Sequence, residues 1–275
     1  MNNITEIRMP TVLAALLIPL IAASCNKMDD IDMTEELCID VMLSDDTRSP
    51  IYDNYLPDGS SIGVTIVENG KDTYNGVTYH NVKFTAYGTG SAQKWIPERP
   101  VILSEVNAKI YAYYPYTEDY HNHEITLTND ETDNMYGLVY DQINRDNKTA
   151  RIYMYHRKFI TRIQLKRGTY EGDGNITRIH ILPGACWSIA KTRIMQYGSY
   201  VNGTQQYSSM KAYDVQMSLD DSPVLETMWL PTLNPIADPF DIYVIMDGLS
   251  VYYRTDEKYI WEQGQIYEFT FTINR

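Results

Sequence analysis

The residues best able to do chemistry in this chain are few and scattered. His121-Asn122-His123-Glu124 is the run with metal-ligating types. On a strand, His121 and His123 would share a face, but a zinc site needs at least a third protein ligand and the sequence points to none. The expectation there is a polar loop and no metal. Asn129-Asp130-Glu131-Thr132-Asp133-Asn134 carries many oxygen atoms that suit calcium. It lacks the spacing and turn glycine of an EF-hand and reads as a solvated turn. Cys186-Trp187 lies among apolar residues with no histidine beside it to activate a thiol. His156 reads as a structural hydrogen-bonding residue. The sequence contains no Gly-x-Ser-x-Gly elbow, phosphate-cradling glycine loop or His-Glu-x-x-His motif. A non-enzymatic protein without a cofactor is therefore expected.

The elements that carry these residues begin with an address. From Met9 to Ala23 the chain is almost purely apolar, too short to span a bilayer and fitting the core of a secretory signal peptide over residues 1–24. Ala22, Ala23 and Ser24 then lead into Cys25. This order resembles the lipobox of bacterial lipoproteins, which implies cleavage before Cys25 and its acylation. Residues 25–36 are acidic and resemble the tether that sends some lipoproteins to the cell surface.

Removing the leader leaves about 250 residues, enough for one large or two smaller β domains. The net charge of −13 and a pI near 4.8 argue against nucleic acid or an anionic membrane as partner. Cys38 and Cys186 are too few and too distant for a disulfide framework and read as core residues. Tyrosine is the outlier, at 24 against 5 phenylalanines. Its apolar ring and wet hydroxyl suit a half-exposed sheet face, and also stacking on sugars.

Period-two alternation recurs from end to end. Leu37, Ile39, Val41 and Leu43 line one face of a first strand. Ile62–Ile66, Val82–Ala86, Ala108–Tyr114, Phe159–Leu165, Tyr213–Leu219 and Phe240–Met246 follow, and Tyr267, Phe269, Phe271 and Ile273 form the last. Asp247-Gly248 reads as a hairpin turn between Ile242–Met246 and Leu249–Arg254. Short alternating strands separated by turn residues predict an all-β protein of antiparallel sandwiches. The polar stretch 141–148 is the candidate boundary, dividing the chain into 37–147 and 148–275, with no internal repeat between the halves.

These strands carry a resemblance. Gly59-Ser60-Ser61-Ile62-Gly63-Val64, Asn81, Trp95 with Pro97, and Ile110-Tyr111-Ala112-Tyr113-Tyr114-Pro115-Tyr116 occur in this order. His156 and Trp261-Glu262-Gln263-Gly264-Gln265-Ile266-Tyr267 follow in the second half. The pattern resembles the fimbrillin-like family, subunits of type V pili of Gram-negative anaerobes. The resemblance implies two tandem transthyretin-like sandwiches, delivered to the outer membrane as a lipoprotein and partnered by other pilus subunits. In pilus-forming members a protease cuts after an arginine behind the first strand, and a neighbour's strand fills the groove so opened.

On that model, Leu37–Leu43 is the candidate exchangeable strand. Arg48, within Asp45-Asp46-Thr47-Arg48-Ser49-Pro50, is either the cut site or a solvated loop arginine. Shaft subunits carry a C-terminal extension as donor, whereas this sequence stops at Arg275. Either Tyr267–Ile273 donates, or the subunit donates nothing and sits at a tip or accessory position. Its receptor could be a host, bacterial or glycan surface. A rival reading is a surface glycan-binding lipoprotein, for which Trp95, Trp229 and Trp261 would stand exposed in a row. A hydrolase would need converging carboxylates in a cleft.

Overall fold

A strand with one buried face needs alternating apolar residues, and every alternating run above forms a strand. The structure is a computed structural model that describes residues 35–44, 54–183, 188–201, 206–207, 210–233 and 236–274, all within one compact unit, Thr34–Arg275. In the first half lie β1 (Cys38–Leu43), β2 (Ser61–Glu68), β3 (Tyr79–Tyr87) and β4 (Lys94–Pro97). They are followed by β5 (Ala108–Tyr114), β6 (Glu124–Thr128), β7 (Met135–Ile143) and β8 (Thr149–His156). The second half adds β9 (Phe159–Arg167), β10 (Asn175–Pro183), β11 (Ala190–Gln196), β12 (Ser199–Tyr200) and β13 (Gln206–Tyr207). It ends with β14 (Lys211–Ser218), β15 (Val224–Trp229), β16 (Asp238–Met246), β17 (Leu249–Tyr259) and β18 (Ile266–Ile273).

The first sheet has the order β1-β8-β7-β5-β2-β3-β4 and covers a core running from Leu37 to Met154. Its centre explains the Gly63, Asn81 and Tyr113 pattern. The register of β2 and β3 shifts between Val64 and Ile66, and opposite the shift Asn81 takes a left-handed φ of 52°. Tyr113 of β5 crosses over β2, where a Cβ on Gly63 would lie 2.3 Å from its ring. The Tyr113 hydroxyl donates to Asn81 Oδ1 at 2.6 Å, and Asn81 Nδ2 donates to the Thr117 carbonyl at 2.9 Å.

The second core runs from Phe159 to Ile273 between the sheets β14-β10-β16-β17 and β15-β9-β18. It is aromatic: Phe240 stacks on Phe269 at 4.1 Å and Phe159 on Trp261 at 4.9 Å. Asp247 and Gly248 both have positive φ, 49° and 77°, as a two-residue hairpin between β16 and β17 requires.

A fourth sheet joins the halves. β6 pairs antiparallel with β11, from Glu124↔Gln196 to Thr128↔Thr192. Beneath it Tyr113, Ile125, Leu127, Tyr136, Ala190, Met195 and Leu230 form a small buried cluster. β5 is thus used on both faces: Ala108, Ile110 and Ala112 enter the first core while Tyr113 enters the junction.

The all-β expectation holds, with several antiparallel sheets, but two pairings are parallel: β1 with β8 and β18 with β9. Within the polar stretch 141–148, residues 141–143 end β7 and 144–147 form a tight turn leading into β8. Asn144 and Asn147 exchange backbone hydrogen bonds at 3.1 Å, and Asn144 Oδ1 caps the amide of Asp146 at 2.9 Å. β8 therefore stays in the first sheet, and the cores divide between Met154 and Phe159. His156 closes β8. Cys38 is half-buried and disulfide-bonded, not a free core thiol.

Candidate functional site

The candidate assembly strands are the first and last of the fold. Leu37, Ile39, Val41 and Leu43 all point into the first core and are buried. β1 lies in register along β8 from Cys38↔Thr149 to Leu43↔Met154. Its other side is engaged near its start, where Leu37 N donates to the Val101 carbonyl at 2.8 Å and Leu103 N donates to the Glu35 carbonyl at 2.6 Å. The strand thus sits in a slot between β8 and residues 101–103. Backbone hydrogen bonds hold β1 to β8 along its length and the residues just before it to 101–103, and four apolar side chains fill its floor.

β18 occupies the corresponding edge beside β9, in register from Ile266↔Ile160 to Ile273↔Arg167. Phe269, Phe271 and Ile273 are buried and Tyr267 is half-buried. Tyr267 packs edge-on against Trp261 at 4.7 Å, and its hydroxyl donates to the Ile260 carbonyl at 2.7 Å. Arg162 on β9 ties both neighbours, pairing with Glu226 at 2.6 Å and with Glu268 of β18. Cys25 and Arg48 lie outside the described residues, as does Cys186.

Trp95, Trp229 and Trp261 are 7%, 0% and 1% exposed, so they are core residues and form no row of stacking rings. Trp229 Nε1 donates to Thr161 Oγ1 at 3.0 Å.

The acidic run 129–134 is no free turn. Asn129 Oδ1 accepts from Leu230 N at 3.0 Å, and the Glu131 carboxylate accepts from Lys211 Nζ, the Tyr213 hydroxyl and Met228 N at 2.7, 2.6 and 2.8 Å. Asp133 Oδ1 pairs with His156 Nδ1 at 2.8 Å, both buried. Asn129 and Glu131 thereby bind the first half to the second, which sequence spacing alone could not reveal.

His121 and His123 part company. Asn122 and His123 both have positive φ, 52° and 61°, so strand alternation is broken there. His121 faces solvent, its side chain 83% exposed, whereas that of His123 is only 13% exposed and turns inward. His123 Nε2 lies 2.7 Å from Asp72 Oδ1, and His80 Nε2 lies 3.6 Å from the same atom. The two imidazoles meet edge to face at 4.1 Å. Burial, then the neighbouring His80, pushes the His123 pKa down, with Asp72 opposing. Asp72 and His80 escaped the sequence reading because nothing in their spacing relates them to His123.

Among the described residues no helix is long and apolar enough to cross a membrane. Similar folds occur in solved structures. A protein described as a candidate cell adhesion protein from Bacteroides uniformis superposes with a TM-score of 0.62 at 14% identity, covering 86% of this chain and 93% of its own. A counterpart from Bacteroides ovatus gives 0.62 at 14% identity, covering 87% and 93%. One from Bacteroides fragilis gives 0.54 at 12%, covering 87% and 94%. No curated protein sequence matches. The fimbrillin-like family model matches residues 47–275, so the chain belongs to the fimbrillin-like family.

Proposed function

We propose that the protein is a non-enzymatic subunit of a surface fimbria acting in cell adhesion. In this reading it is held first at the outer membrane through lipid on Cys25 and joined to other subunits by donor-strand exchange, in a tip or accessory position. The observation that carries the reading is the seat of β1: an edge strand whose Leu37, Ile39, Val41 and Leu43 are buried in a slot, followed in the sequence by Arg48. Each such side chain contributes about 1.5–3 kcal/mol by leaving water. A slot emptied by cleavage after Arg48 would expose that apolar surface, and a neighbour's strand would cover it again by β-augmentation. Tyr267, Phe269, Phe271 and Ile273 are the candidate donor. Their aromatic stacking within their own core makes release costly, which supports a subunit that receives a strand and keeps its own.

The test starts from the full-length chain in detergent, treated with an arginine-specific protease. The expected result, with the Cys38 disulfide reduced, is one early cut after Arg48, release of the acylated segment, and capture of a donor strand from another subunit. No denaturation-resistant ladder of the chain with itself should form. A ladder would assign it to the shaft. A cut body that keeps residues 35–44 bound and takes no strand would overturn the exchange. Fatty-acid labelling lost in Cys25→Ala would establish the anchor.

A further inference from the structure

The sequence left His123 without a third ligand, and the fold supplies both missing partners from elsewhere. We propose that Asp72, His80 and His123 form a binding site for a divalent transition metal of the zinc class, independent of the assembly function. One ligand atom from each residue lies within 4.8 Å of the other two. The donor set, two imidazoles and one carboxylate, suits zinc and its neighbours in the first transition row and does not suit calcium or magnesium.

The two distances to Asp72 need little adjustment. Ligand bonds of about 2.0–2.1 Å in a tetrahedron put neighbouring donor atoms roughly 3.4 Å apart. His80 Nε2 and Asp72 Oδ1 stand 3.6 Å apart already. His123 Nε2 and Asp72 Oδ1, now 2.7 Å apart and hydrogen-bonded, would open by less than about 1 Å. The Asp72 side chain is 64% exposed, so its carboxylate can rotate and solvent can fill the fourth position. The Asp72 carbonyl, 2.6 Å from His80 Nε2, is a further oxygen at the same point.

The surroundings are built to orient the ligands. Tyr197, in the turn between β11 and β12, stacks on His123 at 4.7 Å and 22°, and its hydroxyl donates to Asp72 Oδ1 at 2.9 Å. The Tyr120 hydroxyl lies 3.4 Å from His123 Nδ1, the nitrogen opposite the site. The ion would fasten the β2–β3 connection, β3 and the segment before β6, and through Tyr197 it would brace them against the second half of the chain.

The test uses the full-length chain in detergent, stripped with a chelator and titrated calorimetrically with zinc chloride. One zinc per chain is expected, with affinity falling at least tenfold in His80→Ala, His123→Ala and Asp72→Asn, and unchanged in His121→Ala. Tyr197→Phe should weaken binding less than loss of a ligand. Asp72→Asn is a conservative change at an exposed side chain and keeps the test valid if a histidine variant fails to fold. Cobalt(II) bound to the unmodified chain should show visible absorption bands that zinc abolishes and magnesium does not. No stoichiometric binding, binding indifferent to Asp72→Asn, or loss in His121→Ala instead would overturn the proposal and leave the cluster as a hydrogen-bonded one.

Discussion

Lys158 Nζ lies 2.8 Å from Asp130 Oδ1, with the lysine side chain 1% exposed and the aspartate 51% exposed. The ammonium also donates to the carbonyls of Asp130 and Thr132, at 2.9 and 2.6 Å. The two ends of this pair therefore differ in what their loss leaves behind. Asp130→Ala strands a buried ammonium and should cost about 3 kcal/mol. Lys158→Met leaves a carboxylate that water can reach and should cost less. Chemical denaturation of both variants decides the point; the reverse order would mean that the lysine's two carbonyl bonds matter more than its charge.

The same pair sets an acid limit. Burial pushes the Asp130 carboxyl up, but the Lys158 ammonium, the Thr128 hydroxyl and the Thr132 amide together hold it well below the usual carboxylate range. A folded-state pKa below the unfolded value of about 3.9 gives stability that is complete above that value and is lost as pH falls toward the folded one. The stability gap between the unmodified chain and Asp130→Asn should narrow as pH drops below about 5. Urea midpoints measured from pH 6 to pH 2 check this, and a constant gap would contradict it.

Gly63→Ala should destabilise the first core by about 1–3 kcal/mol, because the added methyl would meet the Tyr113 ring at 2.3 Å and Asn81 Oδ1 at 2.5 Å. The tightest conflict is with the Tyr113 ring, so Tyr113→Ala in the same chain should cost clearly less than the sum of the two changes. Additive losses in that double-mutant cycle would place the strain in the backbone instead.

The junction makes a prediction about cooperativity. Leu127 is buried beneath the β6–β11 pairing, in the cluster that draws on both halves. Leu127→Ala should cost about 2–5 kcal/mol. It should also broaden or split thermal unfolding, since it weakens contacts that neither main core replaces. Calorimetry that keeps one equally sharp transition would show that the halves are coupled elsewhere.

Much of this was legible in the residues. β5 and β16 are spelled out by alternation, and the φ values of Asp247 and Gly248 are those that the dipeptide implies. β6 and β11 were not legible: β6 is short, and each finds its partner across some seventy residues of chain. The parallel seats of β1 and β18 were equally hidden, because period two reports which face is buried and not which way a neighbour runs. Asp72 and His80 met His123 only through the left-handed turn at Asn122, a conformation that no spacing rule contains. Arg48 and Cys25 rest on the sequence alone.

The direction of β1 has a mechanical side. Because it runs parallel to β8, tension entering at Cys38 with its disulfide reduced and leaving through the far end of β8 drags the two strands in opposite senses along their length. The ladder between them is then loaded in shear, all rungs together, from Cys38↔Thr149 to Leu43↔Met154. A hairpin such as β16–β17, pulled from its open end, would instead peel one pair at a time. A chain anchored ahead of β1 and tugged from outside is thus gripped where its backbone resists best.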